Sequence, residues 1–326
     1  MNKADFNGMV DLAMADADLT GMRPVVEKEL LHYEIFQALD QEGLLRSLVF
    51  QGGTSLRLCR GSDRFSEDLD FAGGKDFTSS GTERIAACIE KRIGERFGLN
   101  VKVSDPKPTK EGSLITVEKW TVLIDTAPHN RALPRQKIKL EIANVPHYTS
   151  EAVPLRNNYA FLAGMPSVLV NTESMSEILA DKVIALPTSV SKTEDGTQVL
   201  TPFRVRYRDI WDIAWLLTRG AKLDPAMAMA KVADYGIKDY RALMDKAFDE
   251  MPVLVGSGDF ERQMKRFVAA GFHARLFQSQ GWEAHFIESV NSQFSELARA
   301  LDLAANEGAK QAQKADMKSC SSQGRY

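Results

Sequence analysis

The chain has 326 residues, a net charge of −3, 44% hydrophobic and 26% charged residues, values ordinary for a globular protein large enough for two domains. No apolar run approaches the length of a bilayer span, and the acid-bearing N-terminal stretch MNKADFNGMVDLAMADADL lacks the apolar core of a secretory signal, which points to a cytoplasmic protein. Cys59, Cys88 and Cys320 form no CxxC pair, which argues against zinc and disulfide frameworks, and the charge gives no global drive toward nucleic acid.

In chain order, residues 2–16 and 24–42 read as helices. The second carries Val25, Val26, Leu30, Leu31, Ile35, Phe36 and Leu39 at helical spacing, with Pro24 in its first turn and Gly43 as its stop. Leu48-Val49-Phe50 reads as a strand running into Gly52-Gly53, and Thr54 to Arg60 as a short helix opening off that turn. Arg64 to Phe71 leads into a second strand, in which Leu69 and Phe71 alternate with Asp68 and Asp70. An amphipathic helix over 81–97 follows, then strands over 99–104, 114–125 and 136–145, punctuated by Gly112, Pro128, Asn130 and Pro134.

From about Met165 helical patterns dominate: 173–186, 205–218, 225–234, 238–249, 258–278 and 284–306. Segment 187–203 is polar and turn-rich, a mobile loop in this reading. The predicted class is α+β, with a mixed-sheet domain over 1–164, a helical domain over 165–309 and an aperiodic, disordered tail over 310–326. There is no internal repeat.

The strongest chemical signal is Gly52-Gly53-Thr54-Ser55 followed by Arg64-Phe65-Ser66-Glu67-Asp68-Leu69-Asp70-Phe71. A glycine pair after a strand admits a phosphate close to the backbone, amides at a helix start stabilise its charge, and Thr54 or Ser55 can add a hydroxyl. In a strand, residues two apart point the same way, so Asp68 and Asp70 can bracket hard cations. A D-x-D alone is commonly a pair of solvated acids and a lone GG commonly a turn. Their combination in strand–GG–helix–strand order is much more specific.

Gly52 through Phe71 resembles the metal-site signature of the DNA polymerase β nucleotidyltransferase superfamily, and more narrowly that of the AbiEii/AbiGii toxin family of abortive-infection and toxin–antitoxin systems. Fourteen residues separate Gly53 from Asp68, longer than the general superfamily spacing and usual in the toxin branch. The resemblance runs from about Glu27 to Leu217. It implies a nucleotidyltransferase fold, Mg²⁺ or Mn²⁺ held by Asp68, Asp70 and a third acid, and a nucleoside triphosphate as substrate. It places that third acid at Glu141 in Lys137-Ile138-Lys139-Leu140-Glu141-Ile142, as metal ligand or general base. Asp125 is a weaker competitor.

The resemblance extends to Glu177, Lys182 and the Arg208-Asp209-Ile210-Trp211-Asp212 helix. It implies that Lys182 contacts the triphosphate and that Asp209 holds the nucleotide or orients Lys182, and it places a basic residue at Arg64, four before the first aspartate. A plain ion pair between Lys182 and one of the helix acids is the bland alternative. Arg57, Arg60, Arg131, Arg135, Lys137, Lys139, Arg204, Arg206 and Arg208 read chiefly as solvated surface. His32, His129, His147, His273 and His285 show no ligand spacing, and Trp211, Trp215 and Leu216 sit at core spacing.

The implied activity is transfer of a nucleoside monophosphate to an acceptor hydroxyl with release of pyrophosphate, by a growth-inhibiting toxin that a cognate antitoxin neutralises. A tRNA 3′ end and a protein side chain both fit as acceptors. The rival expectations are an antibiotic-modifying small-molecule transferase and a nucleotide-binding regulator without catalysis.

Overall fold

The computed structural model describes residues 4–78, 82–106, 115–128, 135–192, 198–200 and 205–322. His129, Arg131, Arg204, Gly112, Asn130 and Pro134 of the sequence reading lie outside them. The chain forms two compact units: Met1–Ile178 with Gly256–Trp282, and Leu179–Val255 with Glu283–Tyr326.

The first unit is built on a mixed seven-stranded sheet, in agreement with the expected α+β class. Its strands are β1 (Val49–Gln51), β2 (Leu69–Ala72), β3 (Asn100–Ser104), β4 (Val117–Asp125), β5 (Gln136–Ala143), β6 (Glu151–Pro154) and β7 (Leu169–Thr172), in the spatial order β3-β4-β5-β2-β1-β7-β6. The pairs β2–β5 and β1–β7 are parallel and the others antiparallel. Strands β6 and β7 are absent from the sequence reading. Each has four residues, and β7 exposes Leu169 while burying Val170 and Thr172, too short an alternation to stand out.

Helices α1 (Phe6–Ala13), α2 (Arg23–Gln41) and α4 (Arg84–Phe97) cover one face of the sheet, with α3 (Gly52–Ser55) and a π-helical turn, Leu56–Arg60, between β1 and β2. Trp120, Val122, Ile124, Ile138, Leu140 and Ile142 point into this core from β4 and β5. Phe36 of α2 packs edge-on against Phe50 of β1 at 4.9 Å between ring centroids.

Helix α2 is buried far beyond an apolar stripe, because its acids have partners. Glu27 accepts from Gln136 Nε2 (2.7 Å) and Thr126 Oγ1 (3.0 Å). Glu34 takes Arg92 Nε (2.8 Å) and Arg96 Nε (3.0 Å) of α4. Glu29 holds Arg57 through two bonds, 2.7 and 3.2 Å. Buried carboxylates are tolerated when paired and hydrogen-bonded.

His32, on the same helix, donates through Nε2 to the Glu67 carbonyl oxygen at 3.1 Å. Burial pushes its pKa down to about 4, against smaller opposing effects from that carbonyl and from the charges of Glu29 and Asp68. The unfolded chain takes up a proton below pH 6.5 that the folded chain refuses until about pH 4. Stability therefore falls as pH drops through that window, by about 3 kcal/mol from this residue. Urea unfolding of wild type and His32→Gln across pH 7 to 4 should show the steeper loss in wild type, and parallel curves would contradict it.

The expected helix over 258–278 is two, α9 (Asp259–Met264) and α10 (Ala270–Gln278). The link between them pairs with the other end of this unit: Phe65 N–H donates to the Phe267 carbonyl (2.7 Å), and Arg64 forms an antiparallel bridge with Val268.

Among its described residues the second unit is helical apart from two paired strands, β8 (Val190–Lys192) and β9 (Gln198–Leu200), which fall within the segment expected as a loop over 187–203. Helices α6 (Tyr207–Thr218), α7 (Pro225–Asp234), α8 (Tyr240–Gly256) and α11 (Trp282–Ser322) complete it, with the end of α5 (Met175–Ala185). Trp211, Trp215 and Leu216 are core residues, as their spacing predicts, and Trp211 stacks on Phe286 at 5.5 Å. Lys231 pairs with Asp181 at 2.9 Å. Helix α11 runs to Ser322. Among the described residues no helix is long and apolar enough to cross a membrane, and Cys59 and Cys88 are free thiols.

Candidate active site

The local reason for the site is the turn after β1. Gly52 has φ +77°, a left-handed conformation that glycine adopts without strain. A Cβ built there would lie 2.9 Å from Asp70 Oδ2, and one on Gly53 would lie 2.1 Å from Arg64 Nη2. The glycine pair thus lets β1 turn into α3 directly beside the Asp70 carboxylate.

The sheet register brings the acids together. Asp70 pairs with Gln51 of β1 on one side and Glu141 of β5 on the other, and Glu141 pairs in turn with Lys119 of β4. Directly opposed residues face the same way, with strands about 4.8 Å apart, so Gln51, Asp70, Glu141 and Lys119 form a row across four strands. Asp68 enters just before β2 and comes beside Lys139. Asp125 sits at the far end of β4 opposite Asn100, well removed from this row.

The carboxylates are engaged by lysines. Lys119 Nζ lies 2.6 Å from Glu141 Oε1. Lys139 Nζ lies 3.5 Å from Asp68 Oδ2, and the Lys139 backbone N–H donates to Asp68 Oδ1 at 3.3 Å. In this arrangement no three His, Cys, Asp or Glu side chains among the described residues converge into a set able to hold a metal ion. The donor chemistry nonetheless fits a hard divalent cation. Asp70 and Glu141 adjoin on neighbouring strands with Asp68 two residues away, and Gln51 Oε1, in the same row, is a buried oxygen without a hydrogen-bond partner.

Three residues expected at the nucleotide each make a bond within the protein. Thr54 donates its hydroxyl to the Asp68 carbonyl, and Ser55 donates to the Gly52 carbonyl at 2.8 Å. Arg64 is 1% exposed and donates to the Phe65 carbonyl at 3.0 Å, with its guanidinium packed on Gly53. A short hydroxyl next to a turn satisfies the nearest backbone carbonyl, and a buried guanidinium cannot reach a ligand in solvent. These three brace the turn and fix the segment carrying Asp68.

In the second unit Lys182 Nζ bonds Asp209 Oδ1 at 2.8 Å and Asp212 Oδ2 at 3.1 Å, the ion pair that the helix spacing allows. Glu177, in the first unit, is fully buried and accepts from the backbone N–H groups of Tyr148 (2.8 Å) and Thr149 (2.6 Å). Sequence reasoning treated Lys119 not at all and Lys139 as surface. The signal available was the K-x-K-x-E alternation of β5, which puts lysine and glutamate on one face.

Residues 34–288 match the profile of the family described as nucleotidyl transferase AbiEii toxin, type IV toxin–antitoxin system. No curated protein matches. Among solved structures the chain is similar to MenT4, a nucleotidyltransferase toxin from Mycobacterium tuberculosis, at 17% identity and TM-score 0.47, covering 92% of this chain and 99% of that one. It is also similar to JHP933 from Helicobacter pylori, at 18% identity and TM-score 0.41, covering 86% and 97%.

Proposed function

Since the chain belongs to the AbiEii family of nucleotidyltransferase toxins of type IV toxin–antitoxin systems, we propose that it transfers a nucleoside monophosphate from a nucleoside triphosphate to an acceptor hydroxyl and releases pyrophosphate. The observation that carries this reading is the placement of Asp70 beside Glu141 and beneath a glycine turn that has no room for a Cβ.

Asp68, Asp70 and Glu141 would hold a divalent cation, Mg²⁺ or Mn²⁺, which when bound supplies positive charge to the triphosphate and lowers the pKa of the attacking hydroxyl. The Gly52–Gly53 backbone gives the phosphates close approach to main-chain amides. Glu141 takes the proton of the acceptor hydroxyl. Thr54 and Arg64 act earlier, by holding the turn and the Asp68 segment in place. The toxin–antitoxin assignment implies a cognate antitoxin that restrains the activity.

Gly52→Ala tests the cradle separately from the acids. The left-handed backbone costs an alanine about 1–2 kcal/mol, and its methyl pushes the Asp70 carboxylate aside. A melting curve should show that modest loss, while the transfer rate falls by about a hundredfold. Wild-type transfer by this variant would remove the close approach from the account.

The acceptor is resolved by incubating the protein with each of the four α-labelled nucleoside triphosphates and total RNA, total protein or a small-molecule extract. Label in RNA that depends on divalent cation supports a nucleic-acid acceptor. Label only in small molecules overturns it in favour of an antibiotic-type transferase, and no label in any fraction overturns the transferase reading.

A further inference from the structure

The open face of β4 and β5 alternates acid and lysine around the site. Lys137, Lys139 and Glu141 face one way while Ile138, Leu140 and Ile142 fill the core on the other. Asp68 then has Lys139 as its neighbour across the strand gap, and Glu141 has Lys119. Carboxylates at adjoining positions of neighbouring strands repel one another, and each ammonium relieves that repulsion where it sits. From this geometry we infer that Lys119 and Lys139 are internal counter-cations, which hold Glu141 and Asp68 until a divalent cation displaces them and so set how tightly that cation binds. This rests on the reading of the three acids as a metal site.

The pairs are built to exchange. Lys119 and Glu141 side chains are 46% and 26% exposed, Lys139 and Asp68 39% and 28%. Pairs this open to water hold weakly. A divalent cation brings twice the charge and seeks several oxygen ligands at once. Once displaced, both ammonium groups remain on the open face beside the exposed Lys137 and Lys102. Lys119 and Lys139 are positioning residues, since they act through the carboxylates.

The test is titration of the full chain with Mn²⁺, without nucleotide, read by the loss of the free-ion electron paramagnetic resonance signal. The Lys119→Gln, Lys139→Gln double variant should bind Mn²⁺ about tenfold tighter than wild type. The matching double arginine variant, which keeps both charges, should return to wild-type affinity or weaker, and Lys137→Gln should not differ from wild type. A lysine pair that merely holds the sheet would leave Mn²⁺ affinity unmoved. If Mn²⁺ binds wild type, is lost in Asp70→Asn and is unchanged or weakened in the glutamine double variant, the lysine proposal is overturned and the metal site stands. Absence of binding in every protein overturns both.

Discussion

Replacing Asp70 with asparagine is expected to abolish growth arrest on expression in a host cell and to lower nucleotide transfer by about a thousandfold or more, with the fold intact. The substitution keeps the shape of the side chain and removes its charge. Asp70 sits at the centre of the row, between Gln51 and Glu141, with its carboxylate close under Gly52. A melting curve and a far-UV spectrum of the variant separate loss of the charge at the site from loss of the fold. Equal growth arrest by wild type and variant would count directly against a carboxylate mechanism.

Glu29→Ala should instead destabilise the first unit, by about 3–5 kcal/mol. Glu29 is 1% exposed; it binds Arg57 through two bonds and accepts from Asn158 Nδ2 at 3.0 Å. Without it, the Arg57 guanidinium stays buried with only the Ser62 carbonyl at 3.0 Å and the face of Phe65 at 4.1 Å. That network fixes the segment between the π-helical turn and Asp68, so its loss reaches the active site as well as the core. Urea unfolding should show the full loss for alanine and a smaller one for Glu29→Gln, which keeps hydrogen-bonding atoms but not the charge. A loss below 1 kcal/mol for alanine would show that Arg57 finds solvent, and the bracing role would fail.

The parts of this protein that could be read in advance are those set by neighbours in sequence. The glycine pair announces a backbone that few side chains tolerate, and Gly52 has a positive φ. Period-two alternation puts Asp68 and Asp70 on one side of a strand, and it puts Glu141 with Lys139. That β5 lies parallel to β2, with Glu141 against Asp70, depends on pairing across about seventy residues of chain; only the family resemblance brought those two acids together.

Other features were hidden for physical reasons. Glu27, Glu29 and Glu34 interrupt the apolar pattern of α2, yet each is buried because a partner arrives from β5, the π-helical turn or α4. Thr54, Ser55 and Arg64 have the chemistry of phosphate contacts, and each also donates to a nearby backbone carbonyl, a bond that the local sequence does not announce. The break between α9 and α10 follows from the bridge of Val268 to Arg64, a contact with no trace in local periodicity.

The most direct test of the central claim follows the phosphorus atoms. With one nucleoside triphosphate labelled separately at the α and γ positions, the acids and glycine cradle should pass the α label to the acceptor while the γ label leaves as pyrophosphate. Chelation of divalent cations should stop both. Transfer of the γ label, or α-label transfer that survives in Asp70→Asn, would contradict the account.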